Sequence, residues 1–310
     1  MKRLLLLTIV LLLGATQANS QVKNLYGEAR MSYQEGLSAD YVNVVLDGNI
    51  TPSLSYYWRQ RFNKPLFDPD IPLNGTDMLY LQWDISDKWS LQGGKIPVVV
   101  GGYEFDDAPI DLYYWDPFAG GLADVYALGG NVMFHPAKDQ TLMLQMSQSL
   151  LGFGVKDVYH AAICWYGQIA PWWKTIYSVN WMDDPTHTGL GIIGLGNRFE
   201  SGPFGFELDF QYRTAIFGKG APSADYSAIG KLEMSFPILK VFVKGGYAYN
   251  WNCPIDVIPE QYRYIMMGGG IEVFPLENDD LRLHAVTWWN TDERRVIFSV
   301  GATYRLRLVK

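Results

Sequence analysis

The chain has 310 residues, of which 48% are hydrophobic, 15% aromatic and 18% charged, with a formal net charge of −7. Soluble domains usually carry ~25% charged residues. The acidic balance argues against a nucleic-acid partner, whose phosphates demand basic surface. The two cysteines, Cys164 and Cys253, are too few and too far apart to indicate a disulfide framework.

Residues 1–20 read as a secretory signal peptide. Lys2 and Arg3 precede the apolar run Leu4–Leu13, and small and polar residues follow, ending Ala18-Asn19-Ser20. Ten apolar residues cannot span a bilayer as a helix, which needs ~20. Cleavage before Gln21 removes two bases and leaves 23 basic against 32 acidic residues, a net of −9. Residues 21–310 then form one domain without linker, repeat or low-complexity segment.

From residue 25 onward the dominant signal is period-2 alternation. Val296, Phe298, Val300, Ala302, Tyr304, Leu306 and Leu308 alternate with mostly small or polar residues. Phe204, Phe206, Leu208, Phe210 and Tyr212 alternate with Gly205, Glu207, Asp209, Gln211 and Arg213. The spacing predicts sixteen strands over 23–34, 40–47, 53–62, 77–85, 88–97, 125–134, 140–149, 158–168, 173–182, 189–199, 203–213, 226–236, 239–250, 262–274, 280–290 and 294–308. These segments exceed the ~5–6 residues common in soluble sheets. Tyr and Trp cluster at their ends, as in Tyr56-Tyr57-Trp58, Trp172-Trp173 and Trp288-Trp289, which fits interfacial girdles.

The connections alternate in length. After even-numbered strands they are short and rich in turn formers, such as Asp47-Gly48-Asn49, His135-Pro136-Ala137 and Ser201-Gly202-Pro203. After odd-numbered strands they tend to be long: 63–76, 98–124, 214–225 and 251–261. An all-β fold is therefore expected, an antiparallel transmembrane β-barrel with periplasmic turns and external loops in a Gram-negative outer membrane.

The longest connection, residues 98–124, contains Glu104, Asp106, Asp107, Asp111, Asp116 and Asp124. No Lys or Arg occurs between Lys95 and Lys138. Long loops are usually functional or disordered, and this one is too aromatic for disorder. It is the candidate constriction of a wide aqueous lumen. Glu104, Asp106, Asp107, Asp111 and Asp116 would form an acidic edge. Lumen-facing Arg30, Arg59, Arg61 and Lys95 would form a basic one.

Two stretches carry a family resemblance. The segment Gly93-Gly94-Lys95-Ile96-Pro97-Val98-Val99-Val100-Gly101-Gly102-Tyr103-Glu104 is similar to a strand end and turn of the phosphate-selective porin O and P family. Leu54-Ser55-Tyr56-Tyr57-Trp58-Arg59-Gln60-Arg61-Phe62 resembles the aromatic-then-Arg strand of its Bacteroidetes members. The resemblance implies a sixteen-strand, homotrimeric passive pore for small polar solutes or ions, anions such as phosphate among them. The acidic loop and the net charge of −9 point instead to weak selectivity.

No catalytic or cofactor pattern competes. No histidine has a serine two residues on, so a lipid-facing His–Ser pair is absent. The glycines of 190–197 and 268–270 lack the helix a phosphate loop needs, and they suit close packing in a wall. His187 with Asp183 and Asp184 is a poor metal site. The remaining alternative is an exported carbohydrate-binding β-protein without channel activity, which would use the same aromatics to stack on sugars.

Overall fold

The computed structural model describes residues 21–66, 73–122, 124–152, 155–216, 224–253 and 260–309. The leader expected over 1–20 lies outside them. Sixteen antiparallel strands run in sequence order: β1 (Gln21–Tyr33), β2 (Leu37–Thr51), β3 (Leu54–Arg61), β4 (Thr76–Ser86), β5 (Trp89–Pro97), β6 (Tyr126–Phe134), β7 (Gln140–Gln148) and β8 (Tyr159–Ala170), then β9 (Trp173–Met182), β10 (Leu190–Ser201), β11 (Phe204–Ala215), β12 (Asp225–Phe236), β13 (Leu239–Asn250), β14 (Tyr262–Val273), β15 (Leu281–Asn290) and β16 (Val296–Val309). Each pairs with its sequence neighbours, and β1 also pairs with β16, closing the barrel. Closure leaves no unpaired sheet edge.

The strand count and the alternation of turns and loops follow the sequence reading. One turn is displaced. Asp47, Gly48 and Asn49 belong to β2, opposite Tyr57, Tyr56 and Ser55 of β3. The chain reverses at Pro52-Ser53, where the Thr51 hydroxyl accepts the Leu54 amide at 3.0 Å. Asp47 is held in the strand by Asn24 of β1, whose amide donates to its carboxylate at 3.0 Å.

The wall is inverted relative to a soluble protein. Along β11, Leu208 and Phe210 are 43% and 40% exposed, while Asp209 and Gln211 between them are 4% and 1% exposed. The same parity holds on β13, where Val243 faces out and Lys244 in. A sandwich would bury the apolar set. Here that set makes the outer surface, and the polar set lines the inside. Exposed Trp83, Trp89, Trp172, Phe204 and Phe236 gather near the turn end. Trp172, Trp173, Phe199 and Phe206 stack there in a chain with centroids 5.8–6.1 Å apart. Trp288 departs from the girdle expectation, because it stacks on Tyr114 of the long loop at 5.5 Å. Among the described residues no helix is long and apolar enough to cross a membrane. Cys164 and Cys253 are both buried and unbridged.

Replacing Leu208 by Arg puts a charge on the apolar outer face near mid-strand. The unfolding free energy in lipid vesicles should fall by ~2–4 kcal/mol. Guanidinium titration followed by tryptophan fluorescence checks this, and an unchanged midpoint would contradict the outward assignment.

Candidate constriction and lumen lining

The connection between β5 and β6 turns inward and follows the inner wall. It carries a one-turn helix α1 (Tyr103–Asp106), a 3-10 turn (Pro109–Asp111) and a second short helix α2 (Pro117–Gly121). Its amides and carbonyls find partners on the wall in strand order. The Val99 amide donates to Gln145 Oε1 on β7 at 2.8 Å. The Val100 carbonyl accepts from Ser178 and Asn180 on β9 at 2.8 and 3.1 Å. The Gly101 carbonyl accepts from Gln211 on β11 at 3.1 Å.

Glycine makes this approach feasible. Gly101 and Gly102 both have φ of +87°, and they lie against Gly194 and Gly196 of β10. A Cβ at Gly101 would stand 2.2 Å from Ser178 Oγ, and one at Gly196 would stand 2.6 Å from Gly102 Cα. The glycines of 190–197 are thus the seat of the loop.

The next anchor is an ion pair. Lys244 Nζ on β13 lies 2.6 Å from Glu104 Oε2, with both side chains nearly inaccessible. Lys244 also donates to the Tyr114 carbonyl at 3.0 Å, and the Tyr114 hydroxyl donates to the Lys244 carbonyl at 3.2 Å. Glu104 Oε1 accepts the Asp116 amide at 2.9 Å, and the Glu104 amide donates to Asp209 at 2.7 Å. Burial pushes the Glu104 carboxyl above its ordinary range, and Lys244 opposes that rise. Burial also raises the phenols of Tyr103, Tyr113 and Tyr114.

The far end of the loop is held by β14, β15 and β1. Tyr113 donates to Glu272 at 2.6 Å, Arg282 meets Asp111 at 2.7 Å, and Arg30 donates to the carbonyls of Ile110 and Leu112 at 2.8 and 2.6 Å. On the return, Asp116 caps α2 by accepting the Phe118 amide at 2.8 Å. The Arg213 guanidinium lies 4.4 Å from the Phe118 ring centroid and pairs with Asp225 at 2.6 Å.

The residues singled out in the sequence are distributed as follows. Arg30 pairs with Asp40 at 3.2 Å besides holding the loop, and Arg59 and Arg61 share Asp77 at 3.3 and 2.9 Å. Arg59 also donates to the Tyr126 hydroxyl. Lys95 is buried, 3.4 Å from Asp124, which also meets Lys64 at 3.1 Å. Of the loop acids, Glu104 and Asp116 are buried, while Asp106 and Asp111 are exposed within the lumen. Asp107 lies 3.7 Å from Lys231. The loop acids therefore meet Lys244, Lys231 and Arg282 of β13, β12 and β15, whereas Arg59, Arg61 and Lys95 find partners outside α1. Reading the loop alone could not identify these three bases. The signal available was their inward parity within otherwise apolar strands.

A belt of charge of alternating sign continues along the wall. Arg198 reaches Glu200, Glu207 and Glu233 at 2.8, 2.8 and 3.0 Å. Lys231 meets Glu207 and Glu233, both at 3.3 Å. Lys240 meets Glu272 at 3.0 Å, and Arg305 meets Glu28 at 3.1 Å. Among the described residues no group of three or more His, Cys, Asp or Glu is arranged to hold a metal.

Solved structures share this architecture. The fold is that of the outer-membrane porins. The anion-selective porin from Comamonas acidovorans aligns with a TM-score of 0.67 at 10% identity, covering 93% of this chain and 100% of that one. The outer membrane channel DcaP of Acinetobacter baumannii aligns at 0.64 and 13% identity, covering 94% and 98%. Salmonella typhi OmpF, in a complex with daunomycin, aligns at 0.60 and 9% identity, covering 91% and 97%. No protein-family model and no curated protein matches the sequence. The likeness is thus to the general porin fold, and the narrower one to the phosphate-selective porin O and P family has no matching family model.

Replacing Lys244 by Met leaves Glu104 buried without its cation. Removing one partner of a buried pair costs ~3–5 kcal/mol. Amide hydrogen exchange over 99–122 should rise at least tenfold while strand amides stay protected. Unchanged protection of the loop would show that Lys244 does not anchor it.

Proposed function

We propose that this protein is a porin of a Gram-negative outer membrane, a passive channel for small polar or ionic solutes that catalyses no reaction. The observation that carries the reading is the combination of an apolar outer wall, a charged inner one and a long loop pinned across the lumen. Hydrocarbon matches the outside, and water and solutes match the inside. Residues 98–124 narrow the passage. Asp106, Asp107 and Asp111 on the loop, with Arg61 on the wall, set the local field that passing solutes feel, and Arg30 and Arg59 back it from buried positions. Glu104, Asp116 and Lys95 support that lining from buried positions.

Because most wall bases are already balanced by carboxylates, the selectivity is weak and leans toward cations. Phosphate enters as one solute among others. A homotrimer belongs to the same proposal, and cross-linking the folded chain to a three-subunit mass checks it. In a planar bilayer under a KCl gradient, the full chain should give stable steps with a small cation-leaning reversal potential. The combined Asp106→Asn, Asp107→Asn and Asp111→Asn variant should move that potential toward the anion side. An unmoved potential would remove these acids from the constriction. Strong anion selectivity blocked by phosphate in the unaltered chain would overturn the weak-selectivity reading.

A further inference from the structure

The lumen wall is divided by chemistry. From β10 to β16 it carries the charge belt described above. From β4 to β9, beside the start of the loop, it carries mainly amides and phenols, with Asp77 and Lys95 held in ion pairs to Arg59, Arg61 and Asp124. A cavity of about 220 Å³ lies between that half-wall and the loop; the loop stretch 97–102 with Met143 and Ile176 makes its mostly apolar lining, and Tyr80, Gln92, Asn131, Phe105, Asp106 and Tyr166 add rings and polar groups. No Lys, Arg or His lines it. The space corresponds to roughly seven water molecules and is smaller than the ~300–1,000 Å³ typical of drug-sized ligands.

Its polar groups are set by a relay that starts on the backbone. The Val99 amide fixes Gln145 at 2.8 Å, and Gln145 Nε2 donates to Asn131 Oδ1 at 2.9 Å. Asn131 Nδ2 in turn donates to Gln92 Oε1 at 2.6 Å. The relay thus consumes the Gln92 acceptor and leaves its amino group as a donor. On the loop side the Asp106 carboxylate, exposed within the lumen, lines the cavity beside Tyr166 and offers acceptor sites. Tyr80 is held by stacking on Tyr57, with centroids 5.4 Å apart and planes within 10°. The Phe105 ring packs 6.0 Å from Phe118. Flat rings, one preset amide donor and one carboxylate acceptor, without a cation, suit a ring that is apolar on its faces and hydroxylated at its edge.

We infer that this cavity is a binding subsite for a neutral polyhydroxylated solute of monosaccharide size. An anion would meet Asp106 with no base in the lining to balance it. A cation would meet only one carboxylate, Asp106. The inference rests on the channel reading for solute access, but binding itself can be measured without conductance.

Isothermal titration of the detergent-folded full chain with D-glucose, and separately with choline chloride, tests it. Glucose should bind in the millimolar range. The Gln92→Leu and Asp106→Asn variants, with folding checked by heat-modifiable gel migration, should each weaken it about tenfold, as loss of one hydrogen bond does. No glucose binding by the folded chain, glucose binding by both variants as tight as by the unaltered chain, or binding of choline in place of glucose would each overturn the assignment. Loss of conductance with glucose binding intact would overturn the channel reading and leave the subsite standing.

Discussion

The structure depends on one constraint, the pairing of the first strand with the last. Leu25 to Tyr33 of β1 lies against Val300 to Val309 of β16, so every strand has two neighbours. A sheet left open would expose backbone donors and acceptors, at several kcal/mol each in hydrocarbon. Closure removes that cost and fixes what each side chain can do. One face of every strand must tolerate lipid, and the other must share a confined wet interior with fifteen neighbours.

Confinement governs the electrostatics. A lone charge on the inner wall would be poorly solvated, and the inner wall answers with partners of opposite sign on adjacent strands or on the loop. Arg198, Glu207, Lys231 and Glu233 show the adjacent-strand solution, and Lys244 with Glu104 shows the loop solution. The second has a structural consequence that the first lacks. It ties a segment between β5 and β6 to strands across the lumen, and the Arg282–Asp111 contact extends that tie. Gly101, Gly102, Gly194 and Gly196 provide the close approach that brings Glu104 within reach.

Much of the fold was legible because its signals are local. Period-2 alternation marks each strand, and turn residues separate the short connections from the long ones. β2 runs past its expected end because Asp47-Gly48-Asn49, a good turn sequence, is overridden by cross-strand pairing. The loop was recognisable as special from its length and acidity. Its partners were not, because Lys244 and Arg282 lie more than a hundred residues away, and only the radial geometry of a closed barrel brings them to Glu104 and Asp111. Arg59, Arg61 and Lys95 were visible as inward bases, but the carboxylates that hold them, Asp77 and Asp124, stand at strand and loop ends where alternation gives little guidance. The aromatic cluster at 288–289 resembled a girdle in sequence, yet Trp288 serves the loop.

The central claim is that the loop folded across the lumen limits the passage. The most direct measurement is single-channel conductance of the full chain beside a variant in which residues 103–121 are replaced by a short Gly-Ser link, both in planar bilayers in the same KCl solution. The account predicts stable steps from both and a severalfold larger conductance from the variant. Equal conductance from two well-folded barrels would contradict it.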